Sequence, residues 1–294
     1  MRRPCNRILL LLVFSGIFLN FPPDLLSQVN EKSSAPGADF AETEDSDHSL
    51  FAGLGYGSNM IYLGSTISRD QPYGYAALTY GYKNKLFASI SSVHLNDRNP
   101  FVAFNIGSLS YYNAFNSWFD ISASASYYNV APSLADTLFG SFFYAEMTPG
   151  FDWKILYTKV SFGGLFSEDK NAFLQLRNSR FFQTPEFTSK DLFFSFDPYV
   201  NLLFGSLTTV ETTYGTTVSL TAPYGKAGRR YQVSSTDLYS TKFSFMEIDF
   251  GVPVAFNSDR LTIEAEPGYV LPLYDNQYYP STRGFILMLS LYFR

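Results

Sequence analysis

The chain has 294 residues, of which 46% are hydrophobic, 18% aromatic and only 16% charged, with a net charge of −5 and a mean hydropathy of −0.04. The acidic balance argues against a nucleic-acid partner, and the near-zero hydropathy and high aromatic content fit neither a bundle of membrane helices nor a disordered chain. The single cysteine, Cys5, rules out a disulfide framework.

Arg2, Arg3 and Arg7 precede a mostly apolar run from Ile8 to Leu19, and Leu25-Leu26-Ser27 supplies a small residue just before a cut at Gln28. Residues 1–27 therefore read as a signal peptide, whose apolar run is shorter than the ~20 residues a spanning helix needs. Cys5 lies before that run, so it is not the lipidated cysteine of a lipoprotein. Losing Arg2, Arg3, Arg7 and Asp24 takes 21 Lys+Arg and 26 Asp+Glu to 18 and 25, a net charge of −7 for the remainder, which has no cysteine. Residues 28–49 carry Glu31, Asp39, Glu42, Glu44, Asp45 and Asp47 among small residues and read as a disordered acidic leader. A single domain spans 50–294.

Within it, period-2 segments between turn-forming residues predict twelve strands, at 50–58, 73–82, 85–95, 101–113, 118–130, 139–152, 155–166, 192–203, 207–220, 240–255, 261–274 and 283–294. The connections alternate in length: Lys83-Asn84, 114–117, 153–154, 204–206 and 256–260 are short, whereas 59–72, 167–191 and 221–239 are long. Short turns on one rim and long loops on the other predict an all-β fold, a transmembrane antiparallel up-and-down β-barrel of about twelve strands. Rows within strands agree. Phe119, Ile121, Ala123, Ala125 and Tyr127 share one face, and Asp120, Ser122, Ser124, Ser126 and Tyr128 the other. Trp118 and Trp153 flank short turns, as an interfacial aromatic girdle requires. Pro149, Pro198, Pro253 and Pro267 fall inside strands and call for bulges or breaks there. The competing reading is an exported soluble β-sandwich, whose strands are usually shorter.

The last strand, Gly284–Arg294, has one wholly apolar row of Phe285, Leu287, Leu289, Leu291 and Phe293. It resembles the closing strand of bacterial outer-membrane barrels. That resemblance implies residence in the outer membrane of a Gram-negative bacterium, outer-membrane lipid as surroundings, and Tyr292, Phe293 and Arg294 as the signal read by the assembly machinery. Gly57-Ser-Asn-Met-Ile-Tyr-Leu-Gly64, followed by Ser65-Thr-Ile-Ser68, is similar to the opening of a group of uncharacterised porin-like proteins. Asn59 stands where that group has an acid and Leu63 where it has an arginine. Membership implies a pore or diffusion role.

Alternation puts Asp120, Glu146, Asp152, Asp197, Glu211, Glu247, Asp249, Glu264 and Glu266 on inward rows, with Lys159 the single basic residue among them. Such a lumen attracts cations. Glu247 and Asp249 share a hairpin with Glu264 and Glu266 across the turn at 256–260, which suggests a cluster of four carboxylates. The expected function is a narrow passive channel, in a monomer, for small ions or polar solutes. The alternatives are a closed structural or surface-binding barrel, with loop arginines Arg177, Arg180, Arg229 and Arg230 neutralising the acids, and an outer-membrane hydrolase. The pattern calls for no cofactor, no catalytic residue and no dedicated metal site, a divalent-ion site of oxygen ligands being the remaining alternative for the inward acids. Ser92-Val93-His94 has the spacing of a phospholipase pair in reversed order, and its plain reading is a rim histidine. Lys226, Arg229 and Arg230 suit lipid phosphates or simply a solvated loop.

Overall fold

The computed structural model describes residues 47–68, 70–96, 98–135, 138–167, 170–187, 192–211, 217–221, 238–274 and 283–294. The signal peptide, the leader up to residue 46, and Lys226, Arg229 and Arg230 lie outside the described residues. The strands are β1 (His48–Gly57), β2 (Ile61–Tyr62), β3 (Ser65–Thr66), β4 (Tyr73–Tyr82), β5 (Leu86–Leu95), β6 (Phe104–Asn116), β7 (Phe119–Val130), β8 (Phe142–Asp152), β9 (Tyr157–Phe166), β10 (Lys170–Ser179), β11 (Phe182–Gln183), β12 (Phe193–Phe196), β13 (Tyr199–Glu211), β14 (Thr217–Thr221), β15 (Leu238–Gly251), β16 (Val254–Asn257), β17 (Leu261–Pro272) and β18 (Gly284–Phe293). Twelve of them make a closed antiparallel wall in the order β1, β4, β5, β6, β7, β8, β9, β10, β13, β15, β17, β18. The seam is β18, where Phe293 stands opposite Leu261 on one side and Ala52 on the other.

The wall faces two media. Outward rows carry large apolar side chains, such as Ile90 at 60% exposure and Phe285 at 65%, while the inward rows hold both a core and the charged groups. A soluble sandwich does not dress its outer surface this way; lipid-facing rows do. Around the short-turn rim, here the lower rim, Phe115, Phe119, Phe151 and Trp153 form a chain of ring contacts 5.3–6.1 Å apart, beside Trp118. Trp118 and Trp153 are the two expected at this rim, and Phe115, Phe119 and Phe151 join them.

One stretch departs from the sequence expectation. Residues 170–179, predicted to lie within an outer loop, form wall strand β10, and the predicted turn at 204–206 lies inside the continuous strand β13. One strand is gained and two merge, so the total stays twelve. The reason is Gly205. A Cβ there would lie 2.6 Å from Phe173 Cδ1, so this glycine makes room for a ring on the neighbouring strand and does not turn the chain. In consequence the long connection between β10 and β13 lies at the lower rim. There β11 and β12 continue the same register, Ser179 opposite Tyr199 leading on to Phe182 opposite Phe196.

The prolines sit where the ladders relax. Pro198 separates β12 from β13 and Pro253 separates β15 from β16, yet the register is unbroken across both. Asp197 N donates to Pro253 O at 3.1 Å and Val252 N to Pro267 O at 3.0 Å, so each proline still accepts. Pro149 falls where the β8–β9 pairing skips from Met147 to Gly150.

Inward tyrosines lie over inward glycines of the next strand: Tyr75 over Gly55, Tyr73 over Gly57, Tyr144 over Gly163 and Tyr199 over Gly251. Each pair trades a side chain on one strand for a flat aromatic cover on its neighbour, which packs the curved inner face densely. Gly55→Ala is expected to displace the Tyr75 ring and destabilise the barrel by about 1–3 kcal/mol in urea unfolding. Gly107→Ala, where an added Cβ meets nothing within 4 Å, is expected to be near neutral. Equal effects at the two positions would remove the packing argument. For the corrected topology, a cysteine at Glu186 is expected to react with a membrane-impermeant thiol reagent from the same side as cysteines at Asn84 and Ser258, and from the side opposite Asp70. Labelling of Glu186 together with Asp70 would restore the outer-loop assignment.

Candidate functional site in the barrel interior

Eight-stranded barrels are filled by their own wall side chains, and a twelve-stranded one encloses more space. Here the interior is divided by height. In the upper half the inward rows are apolar: Tyr73, Val93, Leu95, Phe104, Ile106, Val130, Phe142, Leu165 and Leu203 are all buried. The space between them is taken by the connection from β1 to β4. Its β2–β3 hairpin folds into the barrel, leaving Leu63 and Ile67 at 0% exposure and Met60 at 1%. The Tyr62 ring lies 5.6–5.9 Å from those of Tyr128, Phe142 and Tyr144 on β7 and β8. At the tip, a Cβ on Gly64 would stand 2.9 Å from Met246 Cε and 3.6 Å from Leu203 Cδ2, on β15 and β13. The Tyr274 hydroxyl donates to Gly64 O. A second loop adds Leu134, Leu138 and Phe139 to the same apolar mass.

Asn59 organises the inward hairpin. Its Oδ1 accepts from Thr66 Oγ1 at 2.7 Å and Ser68 Oγ at 2.8 Å, and its Nδ2 donates to Asp70 Oδ1 at 2.8 Å. An aspartate here would lose the donor to Asp70 and face it with a like charge. The turn needs Leu63 at φ 46° and Gly64 at φ 82°, the left-handed pair of a type I′ turn. The Gly57–Ser68 stretch quoted for its porin-like resemblance thus forms this hairpin and its flanks.

In the lower half the inward rows turn polar. Asp120, Glu146, Asp197, Glu247, Asp249, Glu264 and Glu266 all stand on them, as does Lys159. Arg177 joins them from β10, 8% exposed, as a second cation that the loop assignment had placed outside the wall. Asp152 sits at the rim, where its Oδ1 accepts from Lys154 N at 2.6 Å and fixes the turn after β8. Glu211 ends β13 opposite Leu238, and its side chain lies outside the described residues.

Tyrosines mediate between the opposite charges. Tyr157 Oη donates to Asp120 Oδ2 at 2.6 Å while its ring lies 5.2 Å below Lys159 Nζ. Tyr199 Oη donates to Glu266 Oε1 at 2.7 Å while its ring carries the Arg177 guanidinium, 3.5 Å from Cζ to centroid. Each tyrosine thus serves a carboxylate with its hydroxyl and a cation with its face. Glu146 accepts from Tyr144 Oη at 3.1 Å and Ser124 Oγ at 3.4 Å.

The four carboxylates of the β15–β17 hairpin do not share one level. Asp249 is opposite Val270, and Glu264 is opposite Ala255 on β16. Glu247 and Asp249 group with Asn201, whereas Glu264 lies within electrostatic reach of Glu266, Asp197 and Arg177. Among the described residues no three His, Cys, Asp or Glu side chains converge to ligate one metal ion.

Ser92 and His94 do not pair. Ser92 Oγ donates to Asn105 Oδ1 at 2.6 Å, and His94 Nδ1 bonds to Phe101 O at 2.7 Å with its ring stacked on that of Phe101.

No family model and no curated protein matches the sequence. Among solved structures, the NanC porin is 10% identical with a TM-score of 0.44, over 84% of this chain and 100% of its own. LpxR from Salmonella typhimurium is 6% identical with a TM-score of 0.43, over 83% and 99%. The Acinetobacter baumannii outer membrane protein Omp33 is 10% identical with a TM-score of 0.39, over 83% and 97%. Identities of 6–10% carry no residue role or activity across to this chain.

Arg177→Met removes the cation within electrostatic reach of Asp249 and Glu264. Breaking a buried charge arrangement from one side costs about 3–5 kcal/mol, so a loss of that order is expected in urea unfolding of the folded barrel. Adding Asp249→Asn is expected to recover part of it. A single variant as stable as the wild type would mean that Arg177 does not balance these acids.

Proposed function

We propose that the protein is a monomeric outer-membrane barrel of a Gram-negative bacterium, working as a channel for cations or small polar solutes that rests closed. The observation that carries this reading is the β2–β3 hairpin, packed inside the upper half of the barrel with its Leu63 at 0% exposure. Passage then requires the hairpin to move. The acidic lower half favours cations, because charges lining a narrow, low-dielectric passage focus their field on what passes. Tyr292, Phe293 and Arg294 serve assembly in this reading. Phe293 faces outward at the seam, Tyr292 faces inward, and Arg294 N holds Arg260 O at 3.1 Å.

A second reading, a permanently filled structural barrel, is favoured by the breadth of the apolar mass, to which Leu134, Leu138 and Phe139 contribute from another loop. Planar-bilayer conductance separates the two. Gly57 and Tyr73 are paired, so replacing 59–71 with a short Gly-Ser linker leaves the β1–β4 hairpin closable. The wild type is expected to be silent or to open rarely, and the linker variant to conduct in steps with a cation-favouring reversal potential. A folded but silent linker variant would select the filled barrel. Steady conduction by the wild type would remove the hairpin as the closing element.

A further inference from the structure

Directly below the tip of the inward hairpin, three acceptor oxygens on two adjacent strands find no donor among the described residues. Glu247 is 1% exposed and follows the bulge at which Leu203 pairs with Glu247 and Phe204 with Phe245, an irregularity that buries Met246 and Glu247 together. Asp249 lies two residues on, along the same inward row. Asn201, 3% exposed, stands opposite Asp249 and donates Nδ2 to its Oδ2 at 3.1 Å. That bond commits the amide donor and leaves three oxygens, Glu247 Oε2, Asp249 Oδ1 and Asn201 Oδ1, buried and without any hydrogen-bond partner. Ionised carboxylate and amide oxygens only accept, so these groups cannot satisfy one another. A buried carboxylate left this way is strongly unfavourable.

Arg177 is within electrostatic reach of Asp249, but among the described residues no cation hydrogen-bonds to these three oxygens. Arg177 lies flat on Tyr199, and Lys159 lies over Tyr157 on β9. We propose that Glu247, Asp249 and Asn201 bind a hard, oxygen-liganded cation of the calcium class, which enters through the polar lower half of the lumen. Two carboxylates and one amide oxygen suit such an ion, and water completes the six to eight oxygens it takes. With only two acids the site also agrees with the lack of any three-acid cluster among the described residues. The ion would seat immediately under Leu203 and Met246, the residues on which the Gly64 tip rests. The proposal does not depend on conduction, because binding is read in detergent.

The test is calcium titration of the folded, detergent-solubilised mature chain by calorimetry, with equilibrium dialysis for stoichiometry. One calcium per chain is expected. Glu247→Gln with Asp249→Asn is expected to weaken it at least tenfold, and Glu146→Gln, a lumen carboxylate elsewhere, to leave it unchanged. Heat-modifiability on gels verifies folding of each variant. Should the double variant fail to fold, Asn201→Ala gives the same readout with both charges kept. Absence of saturable uptake by the wild type overturns the proposal, as does unchanged affinity in the folded double variant or in Asn201→Ala. An infrared carboxylic-acid band that is lost in Glu247→Gln and persists in saturating calcium overturns it too, since Glu247 would then be satisfied by a proton.

Discussion

In hydrocarbon each backbone N–H and C=O must find its partner within the protein, which leaves a closed ring of strands as the one spanning solution open to a β-chain. Here the ring is closed by β18, whose Gly284–Phe293 backbone serves β17 along its length and β1 over Ala52 to Gly57. Closure fixes the register, and the register decides which row of every strand meets lipid. A slip of one residue at the seam would exchange Phe285, Leu289 and Phe293 for Ser290 and Tyr292. The apolar row on the last strand and the ring as a whole are therefore one constraint seen twice.

Twelve strands leave an interior that the wall cannot fill, and the chain fills its upper half with its own loops. The inward hairpin costs something at Leu63, a bulky residue in the left-handed region, roughly 1–2 kcal/mol. Full burial of a leucine side chain contributes roughly 1.5–3 kcal/mol in return, and Tyr62, Met60 and Ile67 add to it without strain. The balance favours a hairpin packed inside over one in solvent.

The lower half follows a different rule. Seven inward carboxylates face two inward cations below the hairpin among the described residues, and Tyr157 and Tyr199 each hold one acid on the hydroxyl and one cation on the ring. The β15 bulge lies at the border between the halves. It turns Met246 into the apolar region and Glu247 into the polar one within a single step of chain, so a local irregularity of one ladder joins the two environments.

The fold class was readable from the sequence because period-2 rows and alternating connection lengths are local properties, set by the pleat and by the two media. So were Asp120, Glu146, Glu247, Asp249, Glu264 and Glu266 as inward residues, for the same reason. What misled was local chemistry with a non-local cause. Phe204-Gly205-Ser206 reads as a turn until Phe173 is found above Gly205, and with β10 missed, Arg177 was read as a loop arginine turning toward the acids and not as a residue of the wall. The apolar run Met60-Ile61-Tyr62-Leu63 inside a supposed outer loop was a signal that this loop does not stay in water. Its destination could not be read from it, since Tyr62 meets β7 and β8 while Gly64 meets β13 and β15, partners that only the closed ring brings within reach. Sequence determined the fold class and most of the wall, because most strands carry their own pattern. Tertiary structure alone decided what fills the interior, because that depends on the volume the closed ring encloses and on which loops reach it.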